Sequence, residues 1–184
     1  MEQTETGSHS KVHGLVVIYT GNGKGKTSAA LGSVMRTVGH GLKCKMIQFI
    51  KGSGKAGELK LVDRLGPQFD IEQEGLGFTF TNKHSMVEHK IAAQAALAKA
   101  QEAIASGDYH TVILDEIFYA RKKDLVSSKE VINLIDIKPK QMHLVMTGRG
   151  APDDIIERAD LVTEMREIKH PKKLGVRAQK GIDF

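Results

Sequence analysis

Three glycines alternate with polar residues in the stretch Thr20-Gly21-Asn22-Gly23-Lys24-Gly25-Lys26-Thr27. Gly21, Gly23 and Gly25 let the backbone turn tightly enough for several N–H groups to converge on one anion. A lysine at the end of such a loop, Lys26, reaches phosphate oxygens, and the Thr27 hydroxyl suits Mg²⁺. The usual phosphate-loop pattern opens on glycine where this chain has Thr20, with Gly21 one place later. A second group is the carboxylate pair Asp115-Glu116, which follows an apolar run. A carboxylate there can hold Mg²⁺ directly or through water, as nucleotide sites require. Arg149 can clamp ribose or phosphate oxygens, or form an ordinary surface ion pair. The eight histidines form no metal pattern: His84 and His89 do not share a helix face, and no cysteine accompanies them. The lone Cys44 reads as a small buried hydrophobe, and no Gly-x-Ser-x-Gly elbow occurs. These residues offer binding and electrostatics rather than a covalent nucleophile, which suits a reaction whose nucleophile comes from a substrate.

The flanking patterns supply the elements that must hold these groups. Residues 15–19 are a short apolar run, predicting a strand buried on both faces. Residues 28–38 carry Leu31, Val34, Met35 and Val38 at helical spacing, ending near Gly39, and Arg36 falls on this helix at a position that spacing alone leaves at the surface. Strands are expected over 43–50, 69–73, 111–116, 142–147 and 161–165, and short helices over 58–65, 131–135 and 152–159. Ser85 and Glu88 form a capping-box pattern before the longest helix, which ends near Gly107, and Ser127 with Glu130 repeats it. Residues 74–83 hold Phe78 and Phe80 in no regular pattern. Strands alternating with helices imply an α/β protein with a mostly parallel sheet, whose ligands sit at the carboxyl ends of the strands. The phosphate loop, the Lys51 loop, Asp115-Glu116 and Thr147-Gly148-Arg149 all lie just past such ends. The expected architecture is a P-loop NTPase-like (RecA-like) three-layer fold with about six strands, in one domain over residues 14–184. Residues 1–13 read as a flexible N-terminal arm.

The 184 residues suffice for one full core, and the net charge of +5 is mild. It suits phosphate-bearing ligands, while the absence of long like-charge runs and of an aromatic stacking platform argues against nucleic acid. The basic segment 169–173 is short and interrupted by Pro171, and reads as a solvated or ligand-facing loop. No apolar run approaches membrane-spanning length and no apolar signal region opens the chain, so a soluble cytoplasmic protein without a membrane partner is expected.

Beyond the loop itself, Val38-Gly39-His40-Gly41, Gln48-Phe49-Ile50-Lys51-Gly52, Gly77-Phe78-Thr79, Leu114-Asp115-Glu116, Thr147-Gly148-Arg149-Gly150 and Ala178-Gln179-Lys180-Gly181-Ile182-Asp183 resemble the P-loop type of ATP:corrinoid adenosyltransferase. The resemblance is collinear from about Gly14 to Phe184 and excludes residues 1–13. It implies transfer of the 5′-deoxyadenosyl group of ATP to the Co(I) centre of cobalamin or another corrinoid, with triphosphate as leaving group and Mg²⁺ as cofactor. It assigns catalysis to Lys26, Thr27 and Glu116, and nucleotide contacts to residues 21–28, Ser28 included, and to Arg36 and Arg149. Asn22 and Arg149 match positions near the ribose and phosphates. Thr27 and Glu116 match the metal positions, with Asp115 a further candidate. Phe78 and Phe80 match aromatics lying against the corrin, with Phe80 where relatives carry Trp and Gly54 at another such position; core packing is the alternative for both phenylalanines. The resemblance further implies a homodimer and a reduced flavoprotein as electron donor. A RecA-like ATPase and a corrinoid-delivery protein are the competing functions.

Overall fold

The computed structural model describes residues 13–52, 56–81 and 83–183. Most of the expected N-terminal arm, and Gly54, lie outside these residues. Six strands form one sheet: β1 (Val16–Thr20), β2 (Cys44–Gln48), β3 (Phe69–Gln73), β4 (Thr111–Asp115), β5 (His143–Thr147) and β6 (Leu161–Glu164). Their order is β3-β2-β4-β5-β1-β6, and every pairing is parallel. The expected mixture of strands and helices therefore resolves into an all-parallel, three-layer α/β architecture.

Alternation within each strand sorts the core into two faces. Val16 and Ile18 of β1, Val112 and Leu114 of β4, and Leu144 and Met146 of β5 face one layer. That layer contains α3 (Met86–Ser106), α4 (Ile117–Lys122), α5 (Ser128–Asp136) and α6 (Asp153–Ile156). Val17, Met46, Ile113 and Val145 face the other layer, where Ala30 and Val34 of α1 (Lys26–Gly39) and Val62 and Leu65 of α2 (Leu59–Leu65) pack. Helices on both faces explain why the central strands read as unbroken apolar runs. The alanines of α3, including Ala93, Ala96 and Ala100, are buried and let this long helix lie close to the sheet.

Both capping boxes form. Ser85 accepts from the Glu88 amide, Ser127 accepts from the Glu130 amide, and each glutamate accepts in return. Three elements differ from the expectation. Helix α4 was not legible, because its six residues show no period and it starts from Glu116 in a left-handed conformation. Helix α6 covers only Asp153–Ile156, and residues beyond it form turns. Strand β6 is exposed throughout, as an edge strand whose outer side has no neighbour in the sheet.

The chains leaving β2 and β3 cross backbone to backbone. A Cβ on Gly52 would lie 1.6 Å from the Gly75 carbonyl oxygen, and one on Gly75 would lie 2.1 Å from the Ile50 backbone. The Gly77 amide donates to the Ile50 carbonyl at 2.7 Å, locking the crossing. Only glycine permits this approach, and it carries the segment bearing Phe78 and Phe80 past the strand ends.

Candidate active site at the carboxyl ends of the strands

The loop after β1 turns through Gly21 at φ 94° and Gly25 at φ 105°, both in the region that glycine tolerates without strain. It is braced against the chain leaving β6: the Gly23 amide donates to the Met165 carbonyl at 2.7 Å, and a Cβ on Gly21 would lie 2.5 Å from that same oxygen. Gly25 occupies the cap position of α1 without a side-chain cap, and no acid lies in the first turn. The amino end of this 14-residue helix thus keeps its positive character for an anion. Lys26 is buried, and its Nζ donates to the Gly21 carbonyl at 2.9 Å and the Gly23 carbonyl at 2.7 Å. Burial pushes its pKa down, with Arg149 and Lys24 adding to the shift and Glu116 and Asp115 opposing it.

Asp115 ends β4 fully buried and is saturated by protein donors. Its Oδ1 accepts from Thr27 Oγ1 at 2.9 Å and Thr147 Oγ1 at 2.7 Å, and its Oδ2 accepts from Gln48 Nε2 at 3.0 Å. Lys51 Nζ lies 3.7 Å from that Oδ2 and donates to Glu58 at 2.7 Å. Asp115 therefore joins the ends of β2, β4 and β5 to the phosphate loop. Glu116 contrasts with it. Its backbone sits at φ 59°, a strained value for a residue with a side chain, and its amide donates to Thr147 Oγ1 at 2.9 Å. Among the described residues its carboxylate has no hydrogen-bond or ion-pair partner. Burial raises its pKa and Asp115 raises it further, against the pull of Lys26, Lys51 and Arg149.

Helix α4 leads from Glu116 to an aromatic patch. The Phe78 and Phe80 rings stack with centroids 5.3 Å apart, and the Tyr119 ring meets Phe78 edge-on at 5.2 Å. Tyr119 hydroxyl and Thr79 Oγ1 are 2.9 Å apart and share a hydrogen bond. Phe78 is 40% exposed and Phe80 73%, so neither belongs to the core. Exposed stacked aromatics of this kind offer a flat apolar face to a ligand.

The structure thus brings together Lys26, Thr27, Asp115 and Glu116, and the charges of Lys24 and Arg149 reach the Lys26 ammonium. Asn22, Ser28 and Arg149 are exposed on the same rim. Lys24 pairs with Asp183, fastening the carboxyl-terminal segment to the phosphate loop. Arg36 is not brought into this group: it is exposed in the last turn of α1, about 15 Å along the helix axis from Lys26. Sequence reasoning did not single out Tyr119, Glu58, or the hydrogen-bonding parts of Gln48 and Thr147. The signal available for Gln48 and Thr147 was their polarity at the ends of apolar strands. Tyr119 gave none, because its partner Thr79 lies 40 residues away. Glu58, seven residues from Lys51 and ten from Gln48, gave none because no periodicity ties it to either.

The parallel sheet, the glycine loop and the strand-end carboxylates define a P-loop protein of the RecA-like α/β class. The flagellar accessory protein FlaH of Methanocaldococcus jannaschii shares this fold, with a TM-score of 0.58 at 11% identity over 83% of this chain and 71% of FlaH. Sequence comparison is more specific. The family described as ATP:corrinoid adenosyltransferase BtuR/CobO/CobP matches residues 12–184. A corrinoid adenosyltransferase of a Sinorhizobium species is 40% identical over 93% of this chain and 80% of its own length. The one of Escherichia coli K12 is 38% identical over 93% of this chain and 86% of its own length. The chain belongs to the ATP:corrinoid adenosyltransferase family, and is an enzyme that adenosylates corrinoids. No helix among the described residues is long and apolar enough to cross a membrane.

Proposed function

We propose that the enzyme joins the 5′-deoxyadenosyl group of ATP to the Co(I) centre of a reduced corrinoid and releases inorganic triphosphate, forming adenosylcobalamin or its precursor. The observation that carries this reading is the adjacency of two unlike surfaces. A cationic phosphate loop with a free carboxylate adjoins an exposed aromatic patch, and the short helix α4 links them. One surface suits a polyphosphate and the other a flat macrocycle.

In the reaction the Co(I) lone pair attacks C5′ of ATP. A cobalt–carbon bond forms, the C5′–O bond breaks, and its electron pair leaves with triphosphate. Lys26 and the loop amides stabilise the charge that develops on this leaving group, at positions fixed before the reaction begins. The donors near the loop are hard oxygens: the Thr27 hydroxyl and the Glu116 carboxylate, with Asp115 committed to orienting Thr27 and Thr147. They fit Mg²⁺, which takes one or two carboxylates and completes its shell with phosphates and water. Among the described residues no cluster of three or more His, Cys, Asp or Glu side chains forms a closed metal cage, in keeping with a metal carried by the nucleotide. Bound there, Mg²⁺ supplies positive charge to the leaving phosphates. Phe78 and Phe80 cover one face of the corrin and exclude a lower axial ligand, easing reduction of Co(II). Asn22, Lys24, Ser28, Arg36 and Arg149 complete the proposed nucleotide contacts. The exposed, remote position of Arg36 makes it the least supported of these by geometry. A reduced flavoprotein as donor and a homodimeric state belong to the proposal through the family resemblance alone, while a cytoplasmic setting and a single catalytic domain over residues 14–184 rest on the sequence pattern and length.

The test is anaerobic. Protein, ATP, Mg²⁺ and chemically reduced cobalamin are mixed, and the visible spectrum and phosphate products are followed. Loss of the Co(I) band with a light-sensitive alkylcobalamin and triphosphate is expected. An unchanged Co(I) band with orthophosphate released would make the chain an ATPase instead.

A further inference from the structure

Beside the aromatic patch lies a cavity of about 560 Å³ whose walls include Phe80, Lys83, His84, Met86 and Lys123. Among the described residues no carboxylate lines it. Phe80 and Met86 are both largely exposed and give it an apolar side. Lys83 and Lys123 give it a cationic side, and among the described residues neither has an ion-pair or hydrogen-bond partner for its ammonium group. Glu88, which follows these residues on α3, is occupied: it accepts from the Ser85 amide at 2.7 Å and the Ser85 hydroxyl at 2.8 Å, and stands 3.7 Å from His84. Lys123 is set in place by the end of α4, where its amide donates to the Tyr119 carbonyl at 3.1 Å and Asp124 turns the chain at φ 54°. The helix that supports Phe78 through Tyr119 therefore also delivers this lysine.

A second observation comes from a neighbour of His84, which lines the cavity. His89 is 3% exposed, and its Nε2 has no hydrogen-bond partner among the described residues. Its ring meets that of His84 edge-on at 6.0 Å. A buried polar atom left unpaired needs an explanation, such as a group that arrives with a ligand.

Resting on the function proposed above, we infer that this cavity takes the nucleotide tail of a complete corrinoid, with Lys83 and Lys123 on its phosphodiester and Phe80 and Met86 against the displaced base. The chemistry selects this ligand. The side chains around an amidated corrin ring are neutral, and the one phosphodiester lies in the loop that tethers the lower base. If aromatics occupy the lower face of the ring, that base must lie beside the ring, and the cavity opens next to Phe80. The site therefore distinguishes corrinoids that carry the nucleotide loop from those that lack it.

The test compares one corrinoid with an intact nucleotide loop and one without it, on the wild-type protein and on K83Q/K123Q. Equilibrium binding is measured by the visible spectrum, and kcat/KM by adenosylation. The wild type is expected to favour the intact corrinoid, and added salt to weaken that preference. The double variant should lose about tenfold in affinity and kcat/KM for the intact corrinoid and keep its values for the truncated one. K83R/K123R should retain the preference. Equal losses on both corrinoids in a variant that melts like the wild type, or no loss on either, would overturn the inference. A wild-type protein that binds both corrinoids with the predicted preference but adenosylates neither would leave the subsite standing and bring down the reaction proposed above.

Discussion

Two buried lysines show how differently this molecule treats the same group. Lys45 on β2 bridges Asp70 and Glu72 of the edge strand β3, and Lys99 of α3 pairs with Glu72 and Glu74 in the same network. Burial, the largest influence, pushes the Lys45 pKa down, but the bonds from Asp70 and Glu72 outweigh it and the net shift is upward. Lys26 is buried to a similar degree, yet it rests on two neutral carbonyls among other cations, and its pKa falls. The first lysine is a completed charge network. The second, among the described residues, is a cation with no salt-bridge contact, and the nearby Glu116, which feels its charge, has a carboxylate with no hydrogen-bond or ion-pair contact there. Charge left uncompensated in one place and satisfied in another marks which region is built for a ligand.

That contrast can be broken by substitution. Lys26→Ala should lower kcat by roughly 10²–10³-fold with little change in melting temperature. Near-normal turnover would remove the loop from the mechanism. Glu116→Gln should also abolish most activity while raising the melting temperature at neutral pH. The sign follows from its raised pKa. A carboxyl with a raised folded pKa adds stability below its ordinary range and loses it as pH rises through the folded value, so ionised Glu116 is a liability at neutral pH. The gain should vanish in acid, and a lower melting temperature at neutral pH would refute this reading. Lys45→Met should do the reverse of Lys26→Ala, costing about 2–3 kcal/mol of stability, roughly 5–10 °C, while the folded variant keeps its turnover. Its raised pKa means the lysine's contribution persists through neutral pH and is lost as pH rises through the folded value, while the lowered pKa of its partner Glu72 removes the pair's contribution at the acid end. Phe80→Ala, at an exposed position, should change stability by no more than about 0.5 kcal/mol. It should slow Co(II) reduction on the enzyme more than reaction with preformed Co(I). Equal losses in the two assays would remove Phe80 from any specific part in Co(II) reduction.

What could be read in the sequence follows from the range of the forces involved. Apolar runs and capping boxes are local, so β3 appears at residues 69–73 as expected, and α3 opens from Ser85. The glycine loop is legible because only glycine permits Gly21 and Gly25 to turn as they do. Helix α4 was hidden, since Ile117, Phe118 and Ala120 are buried around too short a segment to show a period. The exposure of β6 depends on its place at the sheet edge, which no property of Leu161 or Val162 discloses. The division of labour between Asp115 and Glu116 was equally out of reach. Adjacent in sequence, they differ because Thr27, Thr147 and Gln48 converge on one of them only in the folded chain.

The sharpest check uses the proposed leaving group itself. Inorganic triphosphate with Mg²⁺ should bind the wild-type protein, raise its melting temperature with concentration as a ligand of the native state does, and lose most of that effect in Lys26→Ala. A protein that ignores Mg²⁺–triphosphate, or whose Lys26→Ala variant binds it equally well, would contradict a site built around a polyphosphate leaving group.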